Sequence, residues 1–112
     1  MTKKLDKQPS EQQIQELQIL EQNFQGLMMQ KQAFQMELNE TKTALEEVEK
    51  SKEDVFRVVG QVMIKADKKI LKKDLSEKKD LLDLRMKSIE KQEKEFQANI
   101  ERIRNDIVNQ MN

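Results

Sequence analysis

The chain has 112 residues, of which 38% are charged and 36% hydrophobic, with two Gly, one Pro and neither Trp nor Tyr. A compact globule of this size draws on more large apolar side chains and more turn residues, so the composition excludes an ordinary globular core and favours long helices. The absence of Cys and His excludes thiol and imidazole catalysis, disulfides and zinc sites of the usual type, while 21 basic against 21 acidic residues leaves no basic excess for nucleic acid.

Residues 1–9 are polar, end at Pro9 and read as a flexible lead-in. Ser10-Glu11-Gln12-Gln13 then fits a capping box, in which Ser10 accepts from the Gln13 amide while the Gln13 side chain reaches back. The first helix is expected over 10–53. Gly26 alone interrupts it, at a cost of about 1 kcal/mol relative to Ala. Residues 54–66 follow, with Val55-Phe56-Arg57-Val58-Val59-Gly60-Gln61-Val62-Met63-Ile64 at their centre. β-Branched residues around a Gly are the signature of two short strands and a tight turn. A plain helix–helix loop seldom carries so many large apolar side chains, and a buried kink in one continuous helix is disfavoured by the β-branching. A second helix is expected over 67–112, with Asp67 as its N-cap and neither Gly nor Pro within it. The whole is read as one domain.

Heptad spacing organises both helices. In the first, Leu17, Leu20, Phe24, Leu27, Lys31, Phe34, Leu38, Thr41, Leu45 and Val48 fall at a and d; in the second, Leu75, Lys79, Leu82, Met86, Ile89, Glu93, Phe96, Ile100, Ile103 and Ile107 do. All but Lys31, Thr41, Lys79 and Glu93 are apolar, as a coiled-coil seam requires. The two series mirror each other about Gly60: Leu17 and Ile103, Leu20 and Ile100, Phe24 and Phe96, Phe34 and Met86, Leu38 and Leu82, and Leu45 and Leu75 lie at equal distances from it. An antiparallel coiled coil pairs a with d in this way, so the fold class is mainly α, a long two-helix coiled-coil hairpin with a short β-hairpin at its bend. Lys31 and Glu93 fall in neighbouring layers, and the expectation is that both snorkel out to water rather than pair.

Two apolar regions have no partner in this scheme. Two strands alone are marginal in water, and their free edges pair with other chains unless covered. Val55, Phe56, Val58, Val59, Val62, Met63 and Ile64 are therefore expected to mediate assembly, against the alternative that the hairpin folds back on its own helices. At the far end, Ile14, Leu17, Ile19 and Leu20 lie opposite Ile100, Ile103, Ile107, Val108 and Met111. Ile14, Ile19 and Val108 stand outside the seam, so part of this tip faces water and can bind, unless it is ordinary terminal packing with scattered exposed apolar groups. The lysines at 65, 68, 69, 72 and 73 are diluted by Asp67 and Asp74 and read as a solvated helix start. Carboxylates on solvated faces lack an enclosed pocket, so no enzymatic activity, cofactor or metal is expected. No apolar run is long enough to span a membrane and no signal-type core follows Met1, so the expected setting is cytoplasmic.

With that architecture the chain resembles a prefoldin β-class subunit of the archaeal type, over about Gln12 to Ile107. The resemblance is carried by Gln30-Lys31-Gln32, by Ala44-Leu45-Glu46-Glu47-Val48, by the Val55–Lys65 run and by Leu84-Arg85-Met86-Lys87-Ser88-Ile89-Glu90-Lys91-Gln92-Glu93. Phe56 stands where the family usually has Tyr, and Met63 where Leu is common. The α-class carries two hairpins, whereas residues 54–66 have room for one. The resemblance implies a hexamer of two α-class and four β-class chains joined through a β-barrel platform. It further implies ATP-independent capture of unfolded protein at the arm tips and transfer to a group II chaperonin. A scaffold that assembles through its bend and binds no client is the alternative.

Overall fold

The computed structural model describes residues 11–111. The lead-in over 1–9, the Ser10 half of the capping box and Asn112 lie outside the described residues. Four elements follow in order: α1 (Glu11–Lys50), β1 (Val55–Val59), β2 (Val62–Ala66) and α2 (Lys68–Met111). The chain is mainly helical, two long helices with an antiparallel two-stranded hairpin between them. None of the described helices is long and apolar enough to cross a membrane.

Local chemistry sets the element ends. α1 closes at Lys50, short of the expected Glu53: the Ser51 amide makes a last i→i−4 bond to Glu47 O at 3.0 Å, and its hydroxyl donates onward to Glu53 O at 3.1 Å. At the start of α2, Asp67 Oδ1 accepts from the amides of Lys69 and Ile70 at 2.8 and 3.2 Å. Two of the helix's orphan donors are thereby satisfied, as an N-cap does. The strands pair Val55 with Ala66 through to Val59 with Val62. Gly60 turns them with φ of +63°, the sign that the first position of a tight hairpin turn demands and that L side chains disfavour.

Contacts divide the described chain into two compact units. In Gln32–Lys87, Leu38, Leu82 and Met86 form a buried cluster with Phe34 packed against it, and the Arg85 guanidinium lies 5.5 Å from the Phe34 ring centroid. Thr41 is buried at a seam position, and its hydroxyl donates to Glu37 O at 2.8 Å, which satisfies it within its own helix. Opposite in register, Lys79 pairs along its own helix with Asp83 at 3.2 Å. In the other unit, residues 11–31 and 88–111, Leu27, Ile89, Ile100 and Ile103 are buried and the Phe24 and Phe96 rings stand 6.4 Å apart at 50°. Phe24 with Phe96 and Leu38 with Leu82 are pairs equidistant from Gly60, so the register expected from the heptads is the one formed in each unit.

Lys31 and Glu93 correct the sequence expectation. They do not snorkel apart: Lys31 Nζ donates to Glu93 Oε1 at 2.8 Å, with both side chains partly buried. The two positions stand one layer off the mirror register, a diagonal that long side chains cross. This hydrogen bond, above all, holds the Lys31 pKa over the ordinary 10.5; desolvation opposes it, and the charges of Glu93 and Glu90 add to it.

Candidate assembly and binding surfaces

The hairpin presents its apolar side chains to solvent. Phe56, Val58, Val59, Val62, Met63 and Ile64 are all exposed, from 50% for Phe56 to 67% for Met63, and Val55 at the base is half-buried. It has not folded back onto the helices. Alternation along the strands puts Val55, Arg57 and Val59 on one face with Val62, Ile64 and Ala66, and Phe56, Val58, Met63 and Lys65 on the other. Polar contacts fasten the hairpin at its root. Arg57 Nη2 donates to Asp74 Oδ2 at 2.9 Å, Lys65 pairs with Asp54 at 3.3 Å, and Lys68 Nζ donates to Ser51 O at 2.6 Å. The Arg57–Asp74 link escaped the sequence reading. Its signal was an arginine alternating with valines on one strand face, a charge that needs a carboxylate within reach. Contiguous apolar surface of this kind, backed by two unpaired strand edges, is suited to strand addition and burial by other chains.

The expected tip residues divide into two sets. Ile14, Ile19, Val108 and Met111 are exposed, and Leu17, Leu20 and Ile107 are half-buried. Ile100 and Ile103, by contrast, are 7% and 4% exposed. These two are covered by the seam in this structure. Both occupy a and d positions, as do the half-buried Leu17, Leu20 and Ile107. A groove beside this layer is lined by Phe24 and Ile100 and rimmed by Glu21 and Arg104, which pair at 2.9 Å. Neither the groove nor this ion pair was anticipated, since both depend on side-chain placement across the helices. The exposed set, Ile14, Ile19, Val108 and Met111, is interspersed with exposed polar residues such as Gln15, Gln18, Asn105 and Asn109.

Comparison with known proteins adds the following. A family model described as "Prefoldin subunit" matches residues 11–112. The chain is similar to "Prefoldin subunit beta" of Methanothrix thermoacetophila, 36% identical over 97 residues covering 85% of this chain and 81% of that one. It is also similar to "Prefoldin subunit beta" of Pyrococcus furiosus, 33% identical over 94 residues covering 82% and 80%. Among solved structures, the crystal structure of the prefoldin beta subunit from Thermococcus strain KS-1 superposes with a TM-score of 0.78 at 31% identity, covering 85% of each chain.

Proposed function

Because the chain belongs to the prefoldin subunit family, as a β-class member of the archaeal type, we propose that it is a subunit of an ATP-independent holdase. In this reading the hairpin joins α-class partners, two α with four β, in a shared β-barrel platform. The tips of the helical pairs capture unfolded proteins and pass them to a group II chaperonin in the cytoplasm. The observation that supports the reading is the run of exposed apolar side chains along the hairpin, Phe56, Val58, Val59, Val62, Met63 and Ile64.

The energetics of holding are reasonable. A tip that removes on the order of 200 Å² of apolar client surface from water gains about 5 kcal/mol gross. Association and ordering costs consume much of that, so one tip binds weakly and several tips on one flexible client bind well by avidity. Release of one tip at a time then permits transfer without nucleotide.

The test replaces exposed tip residues that take no part in the seam. Ile19→Ser with Val108→Ser should leave helical content and assembly intact while removing most suppression of aggregation of reduced, guanidine-unfolded lysozyme. Undiminished suppression would sink the tip assignment in favour of a scaffold. Val58→Glu with Met63→Glu should instead remove the hetero-oligomer in native mass spectrometry while leaving the helices folded.

A further inference from the structure

Most charges at the root of the two helices are spent within the chain, and those left over fall on two opposite faces. Of the lysines around the start of α2, Lys65 pairs with Asp54 at 3.3 Å, Lys72 pairs with Glu49 at 3.7 Å, and Lys68 Nζ donates to Ser51 O at 2.6 Å. Lys69 and Lys73 are exposed, and their ammonium groups meet no carboxylate among the described residues. On α1, Glu37 and Glu49 reach across to Lys78 and Lys72, whereas Glu46 and Glu47 are exposed and meet no cation among the described residues. Heptad position is the cause. Glu46 and Glu47 occupy b and c on α1, and Ile70 and Lys73 occupy f and b on α2, so all four point away from the facing helix. Within the unit Gln32–Lys87, the back of α1 is therefore acidic here and the back of α2 basic, with Ile70 61% exposed beside Lys73.

The two faces also match in height. Glu47 and Lys73 are equidistant in sequence from Gly60, so they stand at one level on opposite backs of the helical pair. Lys50, the nearest cation on the acidic face, stands level with Ile70, where its aliphatic stem can cover that side chain. Farther from the bend the complementarity ends, because Glu40 stands level with Asp80. Rotation about an axis along the helices preserves height, so it brings Lys73 of one copy to Glu47 of the next. Opposite, complementary faces make a heterologous contact, the kind that closes into a ring. Around a platform of six chains, two α-class chains cannot keep four copies of this one apart, so copies adjoin.

We propose that the root of the helical pair is a contact between copies of this chain, in which Glu46 and Glu47 of one copy meet Lys69 and Lys73 of the next and cover Ile70. The inference rests on the reading that several copies share one platform. It continues the hairpin surface onto the helices and fixes which face each copy turns to its neighbour. Exposed ion pairs contribute little singly, so the hairpin supplies the affinity and the root selects the orientation.

Zero-length carbodiimide cross-linking tests it, in the complex reconstituted with the α-class partner from equal amounts of isotope-labelled and unlabelled chain. Peptides joining Glu46 or Glu47 to Lys73 should include mixed-label pairs, while the Glu49–Lys72 cross-link, formed within one chain, should stay unmixed. Lys73→Glu and Glu47→Lys should each leave helical content intact and raise the apparent dissociation constant of the complex roughly tenfold. The chain carrying both substitutions should recover the parent value, since the exchanged charges meet again between copies. Within one chain the two positions face opposite ways, so the recovery has no intrachain source. Absence of mixed-label cross-links to Lys73, or a double variant as weak as the single ones, overturns the contact and leaves assembly through the hairpin standing. Lys73 joined solely to the α-class chain overturns the choice of a second copy as partner. A parent chain that enters no complex in more than one copy overturns the assembly reading itself, and that shows in native mass spectra before any variant is made.

Discussion

Lys31 and Glu93 occupy seam positions that heptad logic gives to apolar side chains, and the 2.8 Å bond between them makes the substitution tolerable. A charge in a seam costs desolvation, which its partner offsets; removing one partner leaves the other without compensation. The pH dependence follows from the direction of the Lys31 shift. A cation whose folded pKa lies above its unfolded value contributes its stability in full below the unfolded value, and loses it as pH rises through the folded one. With Lys31 raised above 10.5 chiefly by the Glu93 bond, the lysine's contribution is present throughout neutral pH and is lost in alkali. Thermal unfolding of Lys31→Gln should therefore begin at a lower temperature than that of the parent at neutral pH. The two midpoints should converge in alkali, once the pH has risen through the raised lysine pKa. A difference that is independent of pH across that range would assign the pair a packing role and no ionic one.

At the scale of the elements, the hairpin depends on Gly60 more than on any side chain. Its φ of +63° is costly for an L residue, and the open space around it means that the cost is conformational rather than steric. Gly60→Ala should destabilise the hairpin by about 1–2 kcal/mol. Far-ultraviolet circular dichroism, dominated by the helices, should barely change; assembly at a fixed subunit concentration, read by native mass spectrometry, should fall about tenfold or more. Unchanged assembly would show that the turn is remade by its partners. The elements were legible because their codes are local and redundant. Eight apolar residues in ten at a and d set each helix face, and the mirror about Gly60 paired Phe24 with Phe96 and Leu38 with Leu82. What stayed hidden turns on side-chain reach. Lys31 could extend to water or to Glu93, and heptad letters do not choose between them. Arg57 reached Asp74 across 17 positions, by a geometry that appears only once the hairpin stands at its final angle. Ile100 and Ile103 carried the pattern of core and tip at once, and only their burial separates the two.

For the whole molecule, 21 basic and 21 acidic residues leave no net charge to draw a client from a distance, so the proposed capture would rest on short-range apolar contact. Salt then distinguishes the proposed mechanism from a charge-based one. Raising NaCl from ~0.05 to ~0.5 M shortens the screening length from over 10 Å to a few ångströms. It should weaken exposed pairs such as Arg104–Glu21, already worth little, and leave suppression of aggregation unchanged or improved. Weak single tips also predict a steep dependence on their number. In complexes reconstituted with the α-class partner from mixtures of the parent chain and the Ile19→Ser, Val108→Ser chain, each added defective tip would remove one contact from the proposed multivalent grip, so affinity should fall multiplicatively. Client affinity plotted against the fraction of parent chain should therefore curve steeply upward toward the pure parent. A straight line through the origin would mean that each arm holds a client by itself, and the release of one tip at a time would then no longer explain transfer.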